Sequence, residues 1–493
     1  MRPLLDHTIS VEDISRLIGI KIDLDPSLTF SGATSSDTDV VEGDLFLAYP
    51  GEKTHGARFA SSALSRGARA IITDVEGATI AAGLPMIVVT DARTAGALIS
   101  ATLYGKPVQE MISIGITGTN GKTTVSTLLF QLFQEAGRDS GLIGTVETRI
   151  GRDSVTSVRT TPEADALQAL AATMSERHLR HLVMEVSSHA MVMQRMVGSH
   201  FAMVGFTNLS QDHLDFHHDM ESYFRAKASL FTLEYADQAF INIDNNFGLR
   251  LFNECEIPAT SLSRSNPKAS WHFTSITPTS GGTTFTARGT GGILVESSTP
   301  LRGYFNLDNI LLVLAIAIEC GIDPLDCAAL IPRLKGAPGR MESVDCGQDF
   351  TALVDYAHTQ DAVRNVIATA REFTSGKVVV VLGCGGDRDV SKRPLMGSAL
   401  IEESGVAIFT SDNPRSEDPR KILEDMSQHL PICEPSRVII DRHEAIAYAV
   451  SLCQSGDTLL VLGKGHENGQ EIKGQKIDFD DRLVLAKILE ETR

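Results

Sequence analysis

The sequence predicts an α/β protein with mostly parallel sheets, folded as about three domains. Three observations carry this. The chain has 493 residues, and roughly 150 residues per domain gives about three. Short apolar strands alternate with amphipathic helical segments along most of it, the pattern of strand–helix–strand units. Two turn-rich breaks, Tyr104-Gly-Lys-Pro107 and Leu334-Lys-Gly-Ala-Pro-Gly-Arg340, interrupt that alternation.

Taken in order, residues 1–110 read as a small α/β unit, 111–336 as a central unit, and 337–493 as a fresh strand–helix alternation. Strands are expected at 111–118, 181–187, 203–208, 239–244, 377–383, 406–411 and 458–463. A helix at 307–321 closes the central unit, and the Ser-, Thr- and Gly-rich stretch 262–303 reads as β-hairpins at its edge. Several strands end in clusters of Gly, Ser, Asn or Asp. Ligands of open α/β sheets sit beyond the carboxyl ends of the strands, so these clusters are the candidate sites.

Composition excludes several classes. Lys plus Arg is 44 and Asp plus Glu is 62, a formal charge of −18. Such a chain is repelled by phosphate backbones and anionic lipid, so neither nucleic-acid binding nor membrane insertion is expected. Hydrophobic residues at 42% and charged residues at 22% are ordinary globular usage. The seven cysteines contain no Cys-x-x-Cys pair, which argues against a disulfide framework or a zinc ribbon. The start lacks a signal-peptide core, and no stretch approaches the ~18 apolar residues of a membrane span. A cytoplasmic protein is expected.

Residues 112–117 read as a strand, Gly118-Thr-Asn-Gly-Lys-Thr-Thr124 as a loop, and 125–135 as a helix. Glycines let backbone N–H groups turn inward around phosphate oxygens, and the helix N-terminus adds favourable partial charge. Gly118, Thr119, Asn120, Gly121 and Thr124 would form the cradle. Lys122 would reach the β- and γ-phosphates, and the Thr123 hydroxyl would bind Mg²⁺. The spacing departs from the general P-loop, which wants Gly six before the Lys, where Ile116 stands here; Gly118 takes up the turn instead.

The loop, with Glu185-Val-Ser-Ser-His189, Asn208-Leu-Ser-Gln-Asp-His-Leu-Asp215, Lys227, Asn306, Gly339-Arg-Met-Glu342, Asp355-Tyr-Ala-His358, Gly383-Cys-Gly-Gly-Asp-Arg388 and Gly463-Lys-Gly-His-Glu467, resembles the Mur ligases in order across nearly the whole chain. These enzymes add amino acids to a peptidoglycan precursor, and the pattern is most similar to the MurE type, which attaches the third residue of the stem peptide. The resemblance implies an N-terminal uridine-nucleotide domain (1–110), a central P-loop ATPase domain (111–336) and a C-terminal Rossmann-like amino-acid-binding domain (337–493). It also implies an acyl-phosphate route: ATP phosphorylates the γ-carboxylate of the D-glutamate end of UDP-N-acetylmuramoyl-L-alanyl-D-glutamate, and the incoming amine displaces phosphate. A monomer is expected.

The resemblance assigns roles residue by residue. Glu185 ligates Mg²⁺ beside Thr123, and His213 is the ligand of a second ion. Lys227 matches a lysine carried as a carbamate, an anion able to hold that ion. An uncharged amine reacts with CO₂, so a site that lowers the lysine pKa favours the modification; an ordinary exposed lysine is the alternative. His213, His217 and His218 lie within six residues and invite a zinc reading, but the spacing is not a standard one and no Cys or Glu completes it. Outside His213, surface histidines are the plainer account.

Ser188 and Arg195 would hold the precursor's muramoyl-peptide anion, and Thr160 and Thr161 match a second precursor-binding turn. Ser188 and His189 as a hydrolase pair are disfavoured, since neighbours at a strand end point opposite ways. Some relatives carry Gln where Met193 stands, with Gln194 one place later here, and Asn where Arg159 stands. Ser36-Asp-Thr38 replaces an Asp-Ser-Arg triplet, so Ser36 is the candidate uridine contact, and Glu52-Lys-Thr54 occupies a second contact loop. For ATP, Asn306, Asn309, Arg340 and Asp355 are implied; Asn306 could also cap the helix that follows it.

Asp412-Asn413-Pro414-Arg415 points to the amino acid added. Members that use meso-diaminopimelate carry this pattern, whereas lysine-adding members usually lack the Arg. Diaminopimelate is lysine with a second carboxylate, and Arg grips carboxylate bidentately. Arg388 would supply a second cation, while Gly463 and Glu467 would orient the distal ammonium. Discrimination against lysine of roughly 10³-fold is expected. L-lysine as the natural substrate, a catalytically idle precursor-binding regulator, a folylpolyglutamate synthetase and a nucleic-acid-driven motor are the rival readings. The regulator is disfavoured because Lys122, Glu185, His213 and Lys227 are all present.

Overall fold

The computed structural model describes residues 2–4, 7–51, 54–157, 159–279 and 282–492. Glu52 and Lys53 of the expected second contact loop lie outside the described residues. The fold is α/β, with three principal sheets following one another along the chain.

The first sheet has four parallel strands in chain order, Gly32–Thr34, Asp44–Leu47, Ala70–Thr73 and Met86–Val88. Asp91 caps the helix Ala92–Leu103 by accepting from the Thr94 amide, and this helix buries Ala95, Ile99 and Leu103 in a core with Phe30, Leu45 and Ile72. The free N-terminal segment is tied down by Arg2, whose guanidinium grips buried Asp44 at 2.6 Å.

The second sheet has eleven strands. Its centre is parallel, ordered Ser140–Ile143, His181–Glu185, Ile112–Thr117, Phe201–Phe206, Ala236–Asn242 and Ala259–Ser263. The innermost of these, such as Phe201–Phe206, are nearly continuous apolar runs because helices cover both faces. The chain passes from Ile112–Thr117 outward to one side and later returns to its other side through Phe201–Phe206, so the strand order reverses there. A crevice at the carboxyl end of Ile112–Thr117 is where such a sheet binds ligands. The stretch expected to form edge hairpins does so: Trp271–Thr279, Gly282–Arg288 and Leu294–Thr299 pair antiparallel at one margin. The helix expected at 307–321 runs Tyr304–Glu319 and packs beside Lys122–Glu135 in the same core. Gly303, at φ 93°, precedes its first turn. Asn306 is therefore inside the helix and does not cap it; its amide donates to the Arg302 carbonyl at 2.8 Å.

The third sheet has six strands, with Thr351–Asp355, Thr458–Leu462, Val378–Leu382, Val406–Phe409 and Arg437–Val438 parallel in that order and Glu342–Ser343 antiparallel at one edge. Separate apolar clusters fill its two faces. All seven predicted strands form. The carboxyl ends at Thr117, Glu185, Asp355, Leu382 and Leu462 lead into loops that share the clefts between the second and third sheets. Among the described residues no helix is long and apolar enough to cross a membrane, and the cysteines are all free thiols.

Candidate functional site

Two glycines shape the loop after Ile112–Thr117. Gly118 has φ 144° and Gly121 has φ 88°. A Cβ on Gly118 would fall 1.9 Å from the Thr207 hydroxyl, and one on Gly121 2.5 Å from the Asn309 amide oxygen. Only glycine fits either place. Lys122 opens the helix and folds back, donating to the Gly118 and Thr119 carbonyls, both at 2.9 Å. Burial pushes its pKa down.

One step along, the Thr123 hydroxyl donates to Glu185 Oε2 at 3.0 Å. Glu185 is wholly buried at the end of the neighbouring strand and also accepts from the Thr145 amide (2.7 Å) and hydroxyl (3.0 Å). Lys227 is buried as well. Its ammonium donates to the same Gly118 carbonyl at 2.8 Å and lies 4.7 Å from the Tyr223 ring centre. Burial, then the nearby Lys122 charge, hold its pKa well below the usual lysine range. It meets the loop backbone at Gly118 and is not among the residues that line the cavity in front of it.

That cavity, of about 500 Å³, is walled by Thr119–Thr123, Glu185 and His213 on the side of the second sheet. On the side of the third sheet it meets Arg340, Arg388, Asp412, Asn413, Arg415, Gly463 and Glu467. A second cavity of about 400 Å³ shares Asn120, Gly121 and Arg340 with it and is lined by Thr124, Asn306, Asn309 and Asp355. Asp355 accepts from the Met341 and Ala357 amides, both at 2.7 Å, and burial raises its pKa. The Arg340 guanidinium lies 4.6 Å from the Tyr356 ring centre.

Thr160, Thr161 and Arg195 line the first cavity. The Thr161 hydroxyl donates to the Glu185 carbonyl at 2.9 Å, and Arg195 pairs with Glu163 at 2.8 Å, an acid it shares with Arg93 and Arg159. Asp91 and Asp165 stand in the same neighbourhood, so the cations that face the cavity and could meet a small anion there are Arg159 and Arg195.

Ser188 is placed otherwise than expected. The strand ends at Glu185, Ser187 caps a short helix Ser188–Val192, and Ser188 lies in its first turn, 2% exposed. Its hydroxyl meets His217 at 2.9 Å rather than the cavity, which Ser187 lines instead. His217 is correspondingly a buried residue, not a surface one, while His218 is exposed. Pro414 lies outside both cavities and lines a separate hollow with Ser411 and Ile440. Ser36 also lies outside both and bonds Thr38 at 2.9 Å. Gln194 turns to Asp91, at 3.1 Å, leaving Met193 on the cavity wall.

Sequence reasoning passed over Asp212, the most charged junction of the site. Its carboxylate is 3.4 Å from His213, 3.8 Å from His358 and 3.7 Å from Lys392. Burial raises its pKa, but the neighbouring His213, His358 and Lys392 outweigh that and hold it below the usual carboxylate range. Burial drives His213 the other way, well below the usual imidazole range. His213 holds a left-handed φ of 54° at the N-terminal boundary of the short helix Leu214–His217. Asp212 and His358 stood inside quoted motifs; Lys392 carried no signal at all.

The family model for the Mur ligase middle domain matches residues 116–317. Those for the Mur ligase glutamate ligase domain and the Mur ligase catalytic domain match 339–465 and 30–104. A protein of Streptomyces coelicolor named UDP-N-acetylmuramoyl-L-alanyl-D-glutamate–2,6-diaminopimelate ligase is 43% identical over 100% of this chain and 98% of its own. One of the same name from Geobacillus thermodenitrificans is 41% identical over 92% of this chain and 94% of its own. A solved structure bearing that ligase's name aligns with a TM-score of 0.68 at 32% identity, covering 98% of this chain and 99% of the other. MurF ligase from Thermotoga maritima in complex with ADP shares the fold at a TM-score of 0.64 and 17% identity, over 94% of this chain and 98% of its own. The chain belongs to the Mur ligase family.

Proposed function

We propose that this chain is the ATP-dependent ligase that joins meso-diaminopimelate to the D-glutamate γ-carboxylate of UDP-N-acetylmuramoyl-L-alanyl-D-glutamate, releasing ADP and phosphate. The observation that carries the reading is a single cavity with a phosphate loop on one wall and a carboxylate-seeking pair, Arg388 and Arg415, on the other. A relative named for this reaction at 43% identity over the full chain supports it. Within this reading, residues 1–110 take the uridine nucleotide, 111–336 ATP, and 337–493 the amino acid. A monomeric enzyme and a cytoplasmic location belong to the same proposal.

Joining a carboxylate to an amine requires an activated acyl group. The phosphate loop amides and Lys122 hold the triphosphate, with the base and ribose toward Asn306, Asn309 and Asp355 in the second cavity. Arg195, Thr160 and Thr161 hold the precursor so that its γ-carboxylate faces the terminal phosphate. The acyl phosphate then meets the amine oriented by Asn413, Arg415 and Glu467. Positioning and charge stabilisation supply most of such catalysis.

The oxygen donors Thr123 and Glu185, 3.0 Å apart, suit a hard cation such as Mg²⁺. With His213 and a carbamylated Lys227 they would hold two ions, whose chemistry is to neutralise charge as the phosphoryl group transfers. The buried Lys227 amine with its depressed pKa fits carbamylation: R–NH₂ adds CO₂ to give R–NH–COO⁻ and a proton. Incubating the protein with ATP, Mg²⁺, the dipeptide precursor and diaminopimelate tests the proposal. The expected product is heavier than the precursor by one diaminopimelate less one water; no such mass from folded protein overturns it.

A further inference from the structure

We infer that Lys464 is the positioning residue of the amine-substrate end of the cavity; the inference rests on the reading of Asn413, Arg415 and Glu467 as contacts of that substrate. Lys464 follows Gly463 at the carboxyl end of Thr458–Leu462, and its side chain is fully buried. An ammonium has three N–H donors. All three are used: on Asn413 Oδ1 at 3.1 Å, on Glu467 Oε2 at 3.0 Å and on the Gly469 carbonyl at 2.7 Å. A buried cation left unpaired is costly, so these three acceptors and the ammonium fix one another.

Each bond sets something the substrate meets. Asn413 Oδ1 also accepts from the Glu471 amide at 3.0 Å. The amide therefore cannot flip, and its Nδ2 donates to Glu467 Oε2 at 2.8 Å. Glu467 thus has one oxygen committed to the scaffold, leaving Oε1 for a ligand ammonium. The third bond ties down the strand Gly469–Ile472, whose Glu471 carbonyl accepts from the Arg415 amide at 2.9 Å. One ammonium consequently locks the amide, the carboxylate and the backbone register of the arginine.

It also sets the charge. With Lys464 pairing Glu467, the guanidiniums of Arg388 and of Arg415, the latter 3.5 Å from the half-exposed Glu471, are not drawn to Glu467 and face a distal carboxylate. Without it, Glu467 becomes an uncompensated anion that welcomes a side chain bearing ammonium alone. Lys464 is therefore a determinant of diaminopimelate over lysine, acting through Asn413 and Glu467 without touching the substrate.

Steady-state kinetics of the full chain with saturating ATP and precursor, varying diaminopimelate and L-lysine separately, test this. Lys464→Met is expected to raise the KM for diaminopimelate about 10- to 100-fold, the range of a lost charged hydrogen bond. The KM for ATP should stay within about twofold, and the diaminopimelate-to-lysine ratio of kcat/KM should fall about tenfold or more. Lys464→Arg keeps the charge but not the three-acceptor fit, and should raise the same KM while preserving more of that ratio. If Lys464→Met does not fold, Lys464→Arg carries the test alone on the KM for diaminopimelate. In a cycle with Glu467→Gln, the two effects should be strongly non-additive. An unchanged KM for diaminopimelate in the folded variant, or full additivity with Glu467→Gln, overturns the inference. Arg415→Ala run in parallel separates the two claims: if it damages diaminopimelate use while Lys464 variants do not, only this inference fails; if neither does, the reading of the amine end fails with it.

Discussion

Asp212 and Lys392 stand 3.7 Å apart across the cleft, one in the loop after Phe201–Phe206 and the other opening the helix Lys392–Glu403 of the third sheet. With His358 on the same carboxylate, this is a charged contact between the part of the protein that carries the phosphate loop and the part that carries Arg388 and Arg415. Because Asp212 is 6% exposed, the contact is weakly screened by solvent. Asp212→Asn should lower kcat/KM for the amine by about tenfold or more, the cost of leaving partners of a buried charge unpaired. Small-angle X-ray scattering should show a larger radius of gyration than the wild type. Wild-type kinetics and an unchanged radius would show that the contact does not set closure.

Lys122 tests the nucleotide loop. Its ammonium sits on the loop carbonyls, poised to exchange them for phosphate oxygens. Lys122→Ala should lower ATP-dependent turnover about 10²- to 10³-fold or more, the loss seen when a preorganised charge stabiliser is removed. Turnover close to wild type in a folded variant would contradict the ATP assignment.

Lys227 tests the carbamate. Protein purified and assayed under CO₂-free conditions should be less active and regain activity on adding bicarbonate. With ¹³C-labelled bicarbonate, a carbamate resonance should appear in the wild type and be missing from Lys227→Ala. Equal activity with and without bicarbonate, and no resonance, would remove this role.

Two half-buried groups make opposite predictions about pH and stability. Burial pushes His466 down to about 4 from the 6.5 of an ordinary imidazole. Its folded-state pKa is depressed, so it costs nothing above the unfolded value. As pH falls below 6.5 the unfolded chain takes a proton that the folded one refuses, and stability drops until about pH 4. Burial pushes Asp308 up to about 7 from 3.8, against the opposing pull of the Arg264 guanidinium at 2.9 Å. Its contribution is favourable at low pH and is lost as pH rises from 3.8 through 7. In thermal melts, the Tm of His466→Gln relative to wild type should become more positive as pH falls from about 8 to 5. The relative Tm of Asp308→Asn should become more positive in the opposite direction. Offsets that do not vary with pH would contradict both.

The parts legible in the sequence were those with local rules. Apolar runs such as Val378–Leu382 announce a buried parallel strand by themselves, and Gly118 and Gly121 announce a backbone that a Cβ would block. What escaped was set by distance in the chain. Ser188 looked like part of a strand end, but the turn into a helix swings its hydroxyl onto His217, 29 residues on. Lys392 sits in no motif, because its partner Asp212 comes from another sheet. Asn306 looked like a cap because the helix was expected to begin one residue after it; Gly303 begins it a turn earlier. Lys464 was quoted within a motif, yet its purpose depends on Asn413 and Gly469, which only the folded chain brings to it.

The central claim is that Arg415, beside Arg388, selects an amine substrate bearing a second carboxylate. Phosphate release should be measured with ATP, Mg²⁺ and the dipeptide precursor, adding meso-diaminopimelate or L-lysine in parallel, for the wild type and Arg415→Ala. Release by the wild type with diaminopimelate, weaker with lysine by roughly 10³-fold and narrowed to near parity in Arg415→Ala, is the predicted result. Equal release with lysine, or an Arg415→Ala variant that still prefers diaminopimelate as strongly, would contradict it.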